Sequence, residues 1–311
     1  MKSRSRGVAL IVALLVVALA TVLIAGLLDR GELAHARTRN SLREAQAQSY
    51  ALGLEAYAAK VLVQDQARSS GADSADSPWA VPLPPTPVPG GTISAVMNDL
   101  DGRFNLNNLD PAQGNAGIWH DKFQLLLKAL KLDPRLADNV TEWMNAPHAG
   151  SANSDAFYLG QAMPYRTAQR PFLHVSELRL VKGIDGDTFA RLAPYVAALP
   201  PGTTININTA SVPVLMTLGQ NVTAEMAQTI WQQGHAHFTP TDLRSGLKNV
   251  APGLGPIENI ACFGVKSSYF LARGQITLDD LPFEFQSVIE RRDGGLDGGI
   301  HVLQRSRATD S

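Results

Sequence analysis

The stretch from Val8 to Leu28, VALIVALLVVALATVLIAGLL, runs for 21 residues without a formal charge. At about 1.5 Å per residue a helix of that length spans roughly 30 Å, the thickness of a bilayer's hydrocarbon core. Lys2, Arg4 and Arg6 stand on its amino side with Gly7 at the junction, and Asp29, Arg30 and Glu32 end the apolar run. The run is longer than the apolar core of about 7–15 residues in a removable secretory signal. Basic residues before a span stay in the cytoplasm. The chain therefore reads as a single-pass anchor with its body across the membrane.

With 311 residues, the part beyond the anchor is long enough for more than one core-bearing unit. Its 27 basic and 28 acidic residues leave a net charge of −1, so no global field draws it to nucleic acid or anionic lipid. Cys262 is the only cysteine, which excludes an internal disulfide. Between Ile260, Ala261 and Phe263 it reads as a small buried apolar residue.

From Asp29 to about Ala67 no proline interrupts a helix-forming composition. Tyr50, Leu54, Tyr57 and Val61 recur at helical spacing and predict a face packed on the chain's own sheet. Val8 to Gln64 then forms one rod of 57 residues, about 85 Å long, with a hinge near Gly26 or Gly31 as the alternative. The segments follow as a leader over 1–7, a transmembrane helix over 8–28 and its continuation over 29–68.

Six prolines between Pro78 and Pro89 forbid helix and sheet interior and predict a stiff linker over 69–91. Alternation at Ile93, Ala95 and Met97, resumed at Phe104 and Leu106 around Asp101-Gly102, predicts a β-hairpin over 92–109. The period then turns helical over 110–264, in two units, 110–202 and 203–264. Helical segments are expected at Phe123 to Leu132, Arg135 to Met144, Val175 to Val181 and Asp187 to Ala198. Ile205-Asn206-Ile207-Asn208-Thr209-Ala210 opens the second unit, with Asn208 or Thr209 as N-cap of a helix near Ser211. Phe172 followed by Ser176-Glu177-Leu178-Arg179 is echoed by Phe238 followed by Thr241-Asp242-Leu243-Arg244. Strands return over 265–311, at Ser268 to Leu278, Phe283 to Arg292 and Ile300 to Arg307. Strands on both sides of a helical block predict an α+β fold, one antiparallel sheet interrupted by an inserted helical domain.

No G-x-S-x-G, Walker loop, H-E-x-x-H or C-x-x-C occurs, and nothing points to an enzyme. His235 and His237 lack a third ligand for zinc. Asp99-x-Asp101-Gly102 begins like a calcium loop, but Phe104 stands where an oxygen ligand is wanted, and a hairpin turn is expected instead. Asp293 to Gly299 reads as a flexible hairpin loop. A membrane-anchored helix-hairpin-helix protein binding DNA is the alternative function. Between Thr203 and Phe263 only Arg244 and Lys248 face three acidic residues, too little charge for phosphate affinity.

Four stretches together resemble the K-type minor pseudopilins of bacterial type II secretion, the general secretion pathway protein K family. They are the basic leader Met1 to Gly7 ahead of the apolar helix, Asp99 to Leu109, Pro164-Tyr165-Arg166 running on to Ser176 through Gly183, and Asn206 to Ala210. The resemblance implies a type IV pilin-like fold, a long helix on an antiparallel sheet with helix-hairpin-helix or SAM-like units inserted. It implies cleavage by a prepilin peptidase between Gly7 and Val8, with methylation of the new amino terminus. It further implies an inner-membrane protein of a Gram-negative bacterium with a periplasmic body at the tip of a pseudopilus. Its partners would be the I- and J-type minor pseudopilins, the major pseudopilin and the inner-membrane platform, and its work the priming of assembly that drives export of folded proteins.

Most pilins carry Glu at the fifth position of the mature chain, where this chain has Val12. An unpaired carboxylate in a bilayer costs a few kcal/mol, so Val12 suits a subunit with none above it. Family members are also associated with calcium in the insertion. Here that stretch keeps Asn145 and a single carboxylate, Asp155, which predicts a weak site or none.

Overall fold

The rod forms without a break. Helix α1, Arg4–Arg68, runs for 65 residues, about 98 Å at ideal rise, through both Gly26 and Gly31. Among the residues described by the computed structural model (4–68, 71–145, 155–254, 257, 259–292 and 299–307), it is the one helix long and apolar enough to cross a membrane. Its apolar side chains from Val8 to Leu28 all stand exposed, as a lipid-facing surface requires. Further along, Ala47, Leu54, Ala58, Leu62 and Asp65 form a single buried stripe. Tyr50 and Val61 pack at its edge, but Tyr57 is half exposed and departs from the expected core face.

That stripe lies on a five-stranded antiparallel sheet. Its strands are β1 (Leu83–Val88), β2 (Gly91–Asp99), β7 (Tyr269–Leu278), β8 (Leu281–Arg292) and β9 (Gly299–Arg307), adjacent in that order. The short strands between β2 and β7 belong to the helical domain. Helix and sheet approach closely where side chains are small: a Cβ on Gly274 would sit 2.8 Å from Leu54 Cδ1.

Two expectations are corrected here. The proline-rich segment is not only a linker, since part of it forms β1. Pro84, Pro85 and Pro87 lack the N–H a central strand needs, and β1 stands at the sheet edge where that lack is tolerated. The hairpin is therefore β1–β2, turning at Pro89-Gly90 with Gly90 at φ +88°, and not 92–109. Asp101-Gly102 instead turns the chain out of the sheet, and Phe104–Asn105 (β3) pairs in parallel with Val196–Ala197 (β4). A period of two specifies strand conformation but not which sheet receives it. The β7–β8 turn at Asp279-Asp280 has both residues at positive φ, the geometry of a tight hairpin. The glycine-rich loop expected between β8 and β9 lies, over 293–298, outside the described residues.

The helical domain occupies the chain between β2 and β7. It contains α2 (Ala116–Ala129), α3 (Leu136–Met144), α4 (Asp155–Leu159), α5 (Gly186–Leu192), α6 (Val212–Leu215), α7 (Ala224–Trp231) and α8 (Leu243–Val250). One continuous core joins both units, with Phe104 stacked on Phe123 at 5.0 Å and edge-on to Trp119. The segment Val175–Leu180 is a 3₁₀ turn capped by His174, with Glu177 completing a capping box. The helix expected over Asp187 to Ala198 stops at Leu192, where a short turn containing Pro194 leads into β4.

The sequence echo between the units becomes a repeated set of bonds. Each unit opens on a two-residue strand, β3 or Ile205–Asn206 (β5), and closes on a parallel partner, β4 or Phe263–Gly264 (β6). Asn105 Oδ1 accepts from Asn107 N at 3.1 Å, and Asn206 Oδ1 from Asn208 N at 3.0 Å. Asn107 then brackets Phe172, donating to its carbonyl at 2.9 Å and accepting from its N–H at 2.7 Å. Asn208 brackets Phe238 in the same way at 3.0 and 2.7 Å. With its side chain so engaged, Asn208 does not cap the next helix, and Ser211 takes the N-cap position of α6.

Candidate functional site

The two ends of the sheet face different parts of the molecule. At one end the turns sit beside the earlier part of α1: Gln46 Nε2 and Tyr50 OH donate to Pro89 O at 2.9 and 3.0 Å, and Arg43 pairs with Asp279 at 2.8 Å. At the other end Arg291 of β8 reaches Asp65, near the close of α1, at 3.0 Å. The chain leaves the sheet for the helical domain at Asp99 and returns at Tyr269, and Tyr269 is registered with Glu290, next to Arg291. The helical domain thus projects from the sheet end farthest along α1 from the Val8–Leu28 span.

That exit is a buried polar junction. Arg291 also donates to Asp73 at 2.5 Å and to Ser267 O at 2.7 Å, and lies 4.9 Å from the Phe270 ring. Asp99 Oδ2 accepts from Thr209 Oγ1 and from Ser267 Oγ. Asp101 Oδ2 accepts from Ser268 N at 2.9 Å and Tyr269 N at 2.7 Å. Burial, with the neighbouring Asp73 charge, pushes the Asp65 carboxyl up against the pull of Arg291. Burial likewise raises Asp99 to about 6, and it raises Asp101 well above the usual carboxylate range with the Asp99 charge adding to it. Nothing in the sequence pattern grouped these residues. Asp99-x-Asp101-Gly102 carried the one local signal, and its expected reading as a hairpin turn missed the junction, because Asp65, Asp73 and Arg291 are distant in the chain.

The other residues singled out lie elsewhere. Gly7 and Val8 fall inside α1, three and four residues after its start at Arg4, and Val12 is 54 % exposed on the apolar span. Asn145 is the C-cap of α3 and Asp155 opens α4, with 146–154 between them outside the described residues. Asp155 Oδ1 already accepts from Thr167 N and Oγ1, at 3.1 and 3.0 Å, while Oδ2 faces Arg166 at 3.5 Å. Both oxygens of the Asp155 carboxylate are thus engaged with groups of the protein itself. Among the described residues no cluster of three His, Cys, Asp or Glu side chains is placed to hold a metal. Cys262 is buried, and burial pushes its thiol up. Asn206 and Asn208 point inward, fully buried, so the motif behind the DNA alternative offers them to the protein interior and not to phosphate.

A family model described as type II secretion system (T2SS), protein K, matches residues 102–201. The chain is 34 % identical to type II secretion system protein K of Pseudomonas aeruginosa, across 98 % of this chain and 93 % of that protein. It is 33 % identical to the protein of that name from Pectobacterium carotovorum, across 93 % of each. The one from Aeromonas hydrophila is 32 % identical across 97 % of each. Among solved structures, one chain of the GspK–GspI–GspJ complex from the type 2 secretion system of enterotoxigenic Escherichia coli shares the fold, with a TM-score of 0.73 at 24 % identity over 88 % of this chain and 99 % of that one. The chain belongs to the type II secretion system protein K family.

Proposed function

We propose that the protein is the minor pseudopilin at the tip of a short pseudopilus, a structural subunit that primes fibre assembly for the export of folded proteins. The observation that carries this reading is the place of the helical domain at the sheet end farthest from the membrane span. A subunit so built presents its bulk ahead of the fibre and leaves no level surface for another subunit to stack above it. Cleavage between Gly7 and Val8 would free α1 to leave the lipid and pack among neighbouring helices, and its exposed Leu52 and Val63 suit that contact. The partners follow from the family: I- and J-type minor pseudopilins beside it, the major pseudopilin below, with the prepilin peptidase and inner-membrane platform acting on it. The amino terminus lies in the cytoplasm before cleavage and the body in the periplasm.

Val12 is the residue that tests the tip position. A terminal subunit has no amino terminus above it to pair with a carboxylate, and an unpaired one in the bilayer costs a few kcal/mol. Val12→Glu is expected to be inserted and cleaved normally while its co-purification with the other minor pseudopilins falls about tenfold or more, a loss of about 1.4 kcal/mol. Normal secretion together with normal minor-pseudopilin complexes in that variant would overturn the tip assignment.

A further inference from the structure

Exposed apolar side chains divide unevenly between the two helical units. Among the described residues of the helical domain, every exposed large apolar side chain falls in one stretch of the first unit. They are Phe157, Leu159, Met163, Leu173 and Leu180, between 40 and 84 % exposed. The chain draws most of them together. The loop after α4 returns on itself, with Tyr165 N donating to Tyr158 O at 3.3 Å and the two rings 5.4 Å apart. Tyr165 OH donates to Leu180 O at 3.0 Å, and Lys182 N donates to Tyr158 OH at 3.2 Å. Lys182 Nζ lies 5.0 Å from the centre of the Phe157 ring. Phe157, Leu159, Met163 and Leu180 are therefore each within two residues of the Tyr158 and Tyr165 pair or bonded to it. Leu173 stands just before the 3₁₀ turn that Leu180 ends.

The repeat shows that the fold does not require these leucines. Leu173 follows Phe172 where Thr239 follows Phe238, and Leu180 follows Leu178-Arg179 where Ser245 follows Leu243-Arg244. The second unit forms its core with polar residues at both positions, and an apolar patch kept in water marks a contact with something outside the chain. The charge around the patch has one sign. Every exposed charged side chain from Asp155 to Lys182 is a cation: Arg166, Arg170, Arg179 and Lys182. Of the acids nearby, Asp155 is buried, Glu177 pairs with Arg170 at 3.1 Å, and Glu142 of α3, beside Tyr158, is half-buried. Asp185, the next exposed acid, is engaged as the N-cap of α5. We propose that this apolar and cationic face docks a partner protein's amphipathic helix, apolar along its centre and acidic at its edges. Contact removes the apolar side chains from water, while the cations draw carboxylates and reject a basic partner. The cations are held in place, Arg170 by Glu177, Arg179 on the Phe189 ring at 4.2 Å and Lys182 on Phe157. Fixed cations select carboxylates that are themselves fixed, which a fluid lipid surface does not offer.

The test uses the full chain in phosphatidylcholine nanodiscs, with empty nanodiscs as the blank. The probe is a fluorescein-labelled synthetic helix of leucine and glutamate, read by fluorescence anisotropy beside the same helix with lysine for glutamate. The acidic helix is expected to bind about tenfold tighter than the basic one, with the preference shrinking as salt rises. Leu173→Thr combined with Leu180→Ser, which copies the second unit, should weaken the acidic helix about tenfold without moving the melting temperature. Lys182→Glu should weaken it about fivefold. If the double variant melts early, Met163→Ser, at the most exposed of the five positions, carries the same reading. Equal affinity for the two helices, no binding of the acidic one, or unchanged affinity in the variants would overturn the docking face. So would binding to phosphatidylglycerol vesicles without binding of the acidic helix, which would give the face to lipid.

Discussion

Asn105 and Asn206 occupy the same place in the two helical units, and their surroundings differ in kind. Asn105 Oδ1 accepts from Leu199 N, and its Nδ2 donates to Pro200 O and Thr203 Oγ1, all in the link between the units. Asn206 Nδ2 donates to Asp73 O and Ser267 Oγ, and comes to 3.5 Å from Asp99. Asn105 is set among neutral groups only, while Asn206 sits beside the buried carboxylate of Asp99 at the end of the sheet. A repeated local device can thus build a domain in one copy and dock it in the other. Neutral partners ask only that hydrogen bonds be satisfied, while buried carboxylates also need a counter-charge or a proton.

Removing the counter-charge should separate the two settings most widely. Arg291→Ala leaves Asp65 and Asp73 buried without their cation and is expected to cost about 4 kcal/mol in denaturant unfolding of the full chain. Asn105→Ala touches no charge and should cost far less. Equal losses would mean that the charged setting has no special weight.

The bracketing asparagines test the part the units share. Asn107→Ala and Asn208→Ala each strand the N–H and C=O of a buried phenylalanine, Phe172 or Phe238, at a cost of roughly 2–3 kcal/mol. Asn107 also donates to Leu199 O at 2.8 Å, so its loss is expected to be the larger, by about 1 kcal/mol. A gap much larger than that would break the equivalence of the units.

The smallest effect concerns a feature of the first unit alone. Because Asp155 is held by Thr167 and Arg166, replacing calcium by a chelator should move the melting temperature by less than about 1 °C, as for a ligand without a site. A rise of several degrees with calcium would restore the cation site that Asn145 and Asp155 were expected to leave only as a remnant.

Much of the architecture was readable in advance because it depends on near neighbours. The unbroken α1 follows from a proline-free run, and β7, β8 and β9 follow from alternation and their turns, within one or two residues of their expected bounds. The hairpin was misplaced because prolines argue against a central strand but permit an edge strand. Only the arrangement of the sheet says which position β1 takes. Tyr57 looked like core because it shares the period of Leu54 and Val61, yet sheet curvature and strand order decide how far the buried stripe extends around the helix.

The junction showed in the sequence only at Asp99-x-Asp101-Gly102, which read as a turn, while Asp73 and Arg291 each look like an ordinary surface charge in their local stretch. By itself the sequence determined the membrane-length helix, the strand and helix periods, the interrupted sheet and the absence of a disulfide, since these rest on composition and short-range spacing. The tertiary structure alone decided which sheet each strand joins, how the repeated asparagines close their units and where four carboxylates come together. Those outcomes depend on which distant groups share a desolvated space, and no local pattern carries that information.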